Sequence, residues 1–270
     1  MAILRRDSEG AEVARLQALL CLAEFNAKPI DGDFGPGTER AVHACQDSKG
    51  LPSTGQADEG TQEAVGMNQP DTTKIPVPVI DNITIGIVAR MFSRSTPRRN
   101  IETYLPEVLA ALKQADMDDR DLVLMALGTI RAETEGFDPI SERQSQYNTD
   151  PGAHPFNKYD NRTTSLGNRG RPDGERYRGR GFIQLTGRAN YQRYGERLGL
   201  GSRLIEEPDL ANDPRVAAQI LAEFIKDKRS LAKYAILGND LGTARKLVNG
   251  GSHGLDRFTE AFETGVRLLV

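Results

Sequence analysis

Asp119-Arg120-Asp121-Leu122-Val123-Leu124-Met125-Ala126-Leu127-Gly128-Thr129-Ile130-Arg131-Ala132-Glu133-Thr134-Glu135-Gly136-Phe137 is the stretch on which the fold turns. Asp118 or Asp119 is placed to cap a helix, Asp121 suits the positive end of its dipole, and Gly136 marks a stop. At about 100° per residue, Leu122, Met125, Ala126 and Ile130 share one face, and Glu133 points into the middle of it. Glu135 lies roughly 200° further round than Glu133, on a side that carries Leu124 with Val123 and Leu127 nearby. A helix apolar almost all round is a buried helix, so this one is expected inside a core. Its faces do not separate the two glutamates. A carboxylic acid at the end of an apolar helix is partly desolvated, desolvation favours the protonated form, and a general acid needs that form. The plain alternative for Glu133 is a surface residue at a frayed helix end.

Around this helix, the bulk properties exclude several function classes. The chain has 270 residues, 38% hydrophobic and 27% charged, which fits one or two globular domains large enough for a cleft. No apolar run approaches the roughly 18 residues of a membrane helix, and Met1 to Asp7 lacks a secretory apolar core. The sequence therefore predicts a soluble protein made in the cytoplasm without a signal peptide. Net charge is -3, with 6 Lys+Arg against 11 Asp+Glu in residues 1–70, so no basic surface points to nucleic acid. The arginines between Arg169 and Arg180 are interleaved with Gly, Asp and Glu and fit structural contacts better than nucleic acid. Three histidines, His43, His154 and His253, and two cysteines, Cys21 and Cys45, match no zinc spacing, so no metal or other cofactor is expected. That also speaks against a zinc amidase, and no Ser or Cys nucleophile has an evident His partner. The cysteines read as two small buried hydrophobes rather than a disulfide. Nothing argues against a monomer.

Residues 1–67 read as one small three-helix unit. Val13, Leu16, Leu19 and Leu20 recur at helical spacing over 10–22. The turn Asp31-Gly32-Asp33-Phe34-Gly35-Pro36-Gly37-Thr38 follows, with Thr38 as the expected cap of a helix through Ala41, Val42 and Cys45 that stops at Gly50-Leu51-Pro52. Thr61 is the expected cap of a last short helix ending near Val65. Leu16-Gln17, the Asp-Gly-x-Phe-Gly-x-x-Thr turn and the Gly50-Leu51 stop resemble the three-helix peptidoglycan-binding domain found on many wall hydrolases. The match covers nearly all of residues 4–66. In His43-Ala44-Cys45-Gln46, Cys45 stands where the family usually has an aromatic residue. The resemblance implies wall binding; a helical spacer that binds nothing is the alternative.

Pro70, Pro76 and Pro78 among Asp, Thr and Asn make 68–82 a linker, and helical patterns resume from 83 to 270. Within that region Arg178-Gly179-Arg180-Gly181-Phe182-Ile183-Gln184-Leu185-Thr186-Gly187-Arg188-Ala189-Asn190-Tyr191 contains a short apolar run, Phe182, Ile183 and Leu185, bounded by glycines. It reads as a strand or extended segment, with Gln184 and Thr186 on one side. Two polar groups there would hold a water or sugar hydroxyl, or satisfy backbone groups. The segment resembles the signature of family 19 glycoside hydrolases, which include plant chitinases and many phage or bacterial lysozymes. Tyr159-Asp160-Asn161-Arg162, Leu166-Gly167-Asn168, Asp173-Gly174, Arg176-Tyr177 and Leu247-Val248-Asn249-Gly250-Gly251 extend the match over roughly 83–268.

The resemblance implies an α+β lysozyme-like catalytic domain, mainly α with a small β region. It puts the acid at Glu133 within Ala132-Glu133-Thr134, with Ala132 where the family has histidine. A second carboxylate that activates water falls best on Glu142, with Asp138, Asp160 and Glu175 as alternatives. Thr186 matches the residue that positions this water; Gln184, Asn190, Tyr191 and Asn249 match substrate-binding cleft residues. The expected activity is peptidoglycan hydrolysis of the endolysin type, by single displacement with inversion, the carboxyls standing about 6.5–9.5 Å apart. A chitinase and a non-catalytic wall-binding protein are the alternatives, Ala132 being the feature that keeps the latter open.

Overall fold

The computed structural model describes residues 2–75, 77–249 and 253–269, and excludes the side chain of Asn249. Its α-helices in chain order are α1 Ala11–Leu22, α2 Pro36–Lys49, α3 Glu59–Ala64, α4 Ile85–Met91, α5 Arg98–Gln114, α6 Arg120–Glu133, α7 Asn157–Asp160, α8 Thr163–Leu166, α9 Asp173–Arg176, α10 Arg188–Arg197, α11 Arg203–Glu206, α12 Pro214–Lys226, α13 Arg229–Leu237, α14 Leu241–Asn249 and α15 Leu255–Leu268. The protein is mainly α, as its sequence predicts. The expected small β region is reduced, among the described residues, to isolated antiparallel bridges at Leu4–Ala57, Glu9–Asp33 and Pro78–Asp119.

Two compact units emerge, and they do not follow chain order: Met1–Val77 with Lys228–Leu255, and Pro78–Asp227 with Asp256–Val270. The break at Val77/Pro78 falls inside the predicted linker 68–82.

In the first unit α1, α2 and α3 enclose Val13, Leu16, Leu20, Phe34, Ala41, Val42, Cys45 and Ala57. The buried Gln17 amide there is hydrogen-bonded at both its nitrogen and its oxygen. Gln17 Nε2 donates to Asp31 Oδ1, Asp33 O and Thr38 Oγ1, and its Oε1 accepts from Gly32 N. Gln17 therefore fastens α1 to the turn that launches α2, as an unpaired buried amide would cost about 1–3 kcal/mol. Two cap assignments differ from expectation. α2 starts at Pro36 after Gly35, so Thr38 lies inside its first turn. Asp58, not Thr61, caps α3 and accepts from Thr61 N. Gly50, with φ 67°, ends α2 as expected. Both cysteines are free; Cys45 is buried, which pushes its thiol pKa up, and Cys21 is half-buried.

The same unit takes in α13 and α14, which the sequence division placed in the region 83–270. Ile30 N donates to Asp240 Oδ2 at 3.0 Å, Lys28 Nζ donates to Asn239 O, and Tyr234 Oη donates to Asp71 Oδ2 at 2.6 Å. A Cβ at Gly238 would stand 3.1 Å from Ala18 Cα, so only glycine lets the end of α13 approach α1 this closely.

In the second unit α6 is the central helix. Asp119 caps it by accepting from Asp121 N, and every residue from Leu122 to Ala132 is buried. Burying Leu122, Val123, Leu124, Met125, Leu127 and Ile130 there contributes about 1.5–3 kcal/mol each. Gly128 and Gly265 let α15 press against it: a Cβ at Gly128 would stand 3.0 Å from Phe258, and one at Gly265 would clash with Leu124. A second cluster, Tyr177, Leu185, Tyr191, Tyr194, Leu204, Ala211 and Ile220, supports α9, α10 and α12.

Candidate active site

α6 ends at Glu133, which is half-buried, with Thr134 as the C-cap. Glu135, which helix geometry did not distinguish from Glu133, is exposed and is taken up by ion pairs with Arg257 and, at 3.9 Å, Arg131. The chain from Glu133 towards Glu142 is pinned at successive steps. Thr96 Oγ1 donates to Glu135 O, and Asn100 Nδ2 donates to Gly136 O. Phe137 is fully buried, edge-on to Phe92 and Phe182. Gln184 Nε2 and Gly181 N both donate to Ile140 O, and Asn212 Nδ2 donates to Ser141 Oγ. Glu135, Phe137 and Gln184 hold φ of 45°, 54° and 53°, a left-handed backbone that is costly for bulky residues and persists here because packing over-determines it.

Glu142 sits at the end of this pinned segment, half-buried. Its N donates to Gly179 O at 2.7 Å. Its carboxylate accepts three donors: Asn148 Nδ2 and Tyr159 Oη on Oε1, both at 2.9 Å, and Gly179 N on Oε2 at 3.2 Å. Hydrogen bonds to both oxygens fix the direction of the carboxylate plane. Burial, reinforced by the Glu142 charge and hydrogen bond, pushes the Tyr159 hydroxyl up to about 12, so Tyr159 remains a donor at neutral pH.

The segment around Gln184 departs from its sequence reading. Residues 181–184 form a turn, not a strand. Arg180 and Leu185 exchange both backbone hydrogen bonds across it, at 2.8 and 3.2 Å. Gln184 and Thr186 therefore do not share the side of an extended segment. They are still linked: Thr186 Oγ1 donates to Gln184 O, and Asn190 Nδ2 donates to Thr186 O, each at 2.8 Å. The Gln184 side chain comes beside Gly179 and Glu142, since a Cβ on Gly179 would meet Gln184 Oε1 at 2.8 Å and Glu142 Oε2 at 3.2 Å. Gln184, Thr186 and Asn190 thus form a hydrogen-bonded chain that begins beside Gly179, the residue whose N donates to Glu142.

Tyr191, expected to line a cleft, is instead fully buried. Its hydroxyl accepts from Arg180 Nη1 and donates to Arg178 O, and burial pushes it up to about 12. It supports the turn from behind. The side chain of Asn249, together with Gly250 and Gly251, lies outside the described residues.

The alternative carboxylates occupy different environments. Asp138 is half-buried, and desolvation pushes it above the usual carboxylate range. Asp160 is buried and committed to Gly174 N and, at 3.0 Å, to His154 Nε2, which makes it a brace. Glu175 is exposed. Sequence reasoning did not single out Asn148, and it quoted Tyr159 only as part of a motif. Both reach Glu142 through the path of the loop between them, for which no local pattern exists.

Residues 9–65 match the family described as "Putative peptidoglycan binding domain". The "Acidic 26 kDa endochitinase" of Solanum lycopersicum and the "Acidic endochitinase pcht28" of Solanum chilense are each 50% identical over 44 residues. That is 16% of this chain and 17% of each of those proteins, so the chain matches about a sixth of their length. The crystal structure of chitinase C from Streptomyces griseus HUT6037 aligns at 20% identity over 69% of this chain and 76% of that one, with a TM-score of 0.45. The crystal structure of Burkholderia AP3 phage endolysin aligns at 16% identity over 98% and 100%, with a TM-score of 0.24. The chain therefore combines, in one polypeptide, a segment matching a peptidoglycan-binding family with sequence similar to endochitinases.

Proposed function

We propose that this protein is a peptidoglycan-degrading glycosidase of the endolysin type, an N-acetylmuramidase that hydrolyses β-1,4 glycosidic bonds by an inverting acid/base mechanism. The observation that carries the reading is the carboxylate of Glu142, oriented by three donors at the end of the pinned segment that follows Glu133. Glu133 protonates the leaving glycosidic oxygen. Glu142 takes a proton from a water that attacks the anomeric carbon from the opposite face, with Thr186 helping to place that water. Inversion needs the two carboxyls about 6.5–9.5 Å apart to admit the water. Gln184 and Asn190 bind the sugar beside it, and Asn249 is the remaining substrate contact that the family pattern implies.

Residues 1–67 serve as the wall anchor, supported by the family match over 9–65, and the region 83–270 carries the chemistry. In this reading the protein is made in the host cytoplasm, acts on the wall after release, and works as a monomer. The endochitinase relatives favour a second reading, hydrolysis of β-1,4-linked N-acetylglucosamine polymers.

Mass analysis of products from purified peptidoglycan and from chitin oligomers tests both. New reducing ends on N-acetylmuramic acid support the proposal. Cleavage confined to chitin oligomers transfers it to the second reading, and release of amino ends alone removes the glycosidase assignment. Glu133→Gln is expected to abolish hydrolysis and leave wall binding intact.

A further inference from the structure

Among the described residues, the large exposed apolar side chains are Ile3, Leu22, Ile75, Val77, Ile140 and Tyr147, and Tyr147 is the only aromatic one, at 80% exposure. Single exposed apolar residues are ordinary on a protein surface. Two features set Tyr147 apart. Its backbone is held in a braced turn: Ser145 N donates to Asn148 Oδ1, Tyr147 N to Ser145 Oγ, Asn148 N and Thr149 N to Ser145 O, and Lys158 Nζ to Gln146 O. Its neighbour in that turn, Asn148, is fully buried and donates directly to Glu142 Oε1. The fold therefore presents an aromatic ring to solvent one residue from a group that touches the proposed base, and among the described residues the ring enters no hydrogen bond and no ring stacking.

We propose that Tyr147 is a sugar-stacking platform that binds one pyranose ring of the glycan next to Glu142. This rests on the hydrolase reading for the identity of the glycan. A pyranose has an apolar face of C–H groups and a polar rim. A tyrosine presents a flat apolar face with a hydroxyl at its tip, which suits such a ligand at low conformational cost. The hydrogen bonds of the turn hold the Tyr147 backbone in place whether or not a sugar is bound.

The chain contains no tryptophan, which supplies a direct probe. Tyr147→Trp introduces a sole indole at the platform, and its emission is followed on adding a soluble β-1,4-linked N-acetylglucosamine hexamer or solubilised peptidoglycan glycan strands. Turnover by the wild type, Tyr147→Ala and Tyr147→Phe is measured on the same glycans. We expect a saturable emission change, KM raised about tenfold in Tyr147→Ala with kcat within about twofold, and near wild-type values for Tyr147→Phe, since stacking loss acts on binding. An unchanged KM in Tyr147→Ala, or emission that stays constant where wild-type turnover saturates, overturns the platform and leaves the hydrolase reading standing. A saturable emission change without any turnover keeps the platform and overturns the hydrolase reading. Neither signal overturns both. Unchanged melting of Tyr147→Ala separates binding loss from unfolding.

Discussion

Gly179→Ala tests the assignment of Glu142 with a single methyl group. Gly179 does not hold a positive φ, so alanine fits its backbone, and the perturbation is steric. The added Cβ would stand 2.8 Å from Gln184 Oε1 and 3.2 Å from both Cβ and Oε2 of Glu142. Carbon pairs rest at about 3.5–4.0 Å, so the Glu142 side chain must yield by a few tenths of an ångström. Gln184 gives way poorly, because its amide nitrogen is bonded to Ile140 O and Gly181 O, and each lost bond costs about 0.5–1.5 kcal/mol. The overpacking itself costs about 1–3 kcal/mol, which lowers the melting temperature by roughly 2–4 °C per kcal/mol in a unit of this size. A misplacement of about 1 Å at a catalytic group costs on the order of 100-fold in rate, so a shift of a few tenths predicts about a tenfold fall in kcat. The assay is release of reducing ends from peptidoglycan, with pelleting on cell walls and thermal melting run in parallel. The expected result is lower kcat, wall pelleting as in the wild type, and a folded variant. A folded Gly179→Ala with wild-type kcat would show that the carboxylate beside it does not limit the reaction, and the base would have to be sought elsewhere.

Two further outcomes concern stability. Asp173 accepts bidentate hydrogen bonds from Arg188 at 2.7 and 2.8 Å and one from Arg169 N, which hold its pKa below the usual carboxylate range against the opposing effect of burial. A depressed folded pKa gives stability that is complete above the unfolded value of about 3.9 and is lost as pH falls through the folded value. Wild type should therefore exceed Asp173→Asn in melting temperature near pH 6, with the gap closing below about pH 4. A gap independent of pH refutes the charge-based account. Asp240 accepts from Ile30 N, Thr243 N and Thr243 Oγ1 in a buried position, so Asp240→Ala leaves donors unpaired and should cost about 1–3 kcal/mol in urea unfolding. Native-state hydrogen exchange should show faster exchange at Ile30 as well as in α14. Protection lost in α14 alone would detach Asp240 from the N-terminal unit.

Several elements follow from local rules and were legible in the chain. α6 declares itself through an acidic cap, an apolar pattern on all sides and a nearby glycine stop, because helix ends obey nearest-neighbour chemistry. The stop of α2 at Gly50 follows from an equally short-range signal. Phe182 to Leu185 did not, because a short apolar run fits a strand or a buried turn equally well. What decides for the turn is the contact of Gln184 with Ile140 O, 44 residues away along the chain.

Glu133 was singled out by a motif and Glu142 was preferred among four carboxylates of the following region, and the sequence alone determined their types and order in the chain along with the helical nature of both units. Tertiary structure decided which side chains orient Glu142, through Asn148, Tyr159 and Gly179. It also drew Tyr191 into the core and packed α13 and α14 with the N-terminal unit through Asp240 and Tyr234. The physical reason is common to these cases. Helix periodicity says that a face is buried but not against what, and hydrogen bonds between distant segments depend on a chain path that no local pattern encodes.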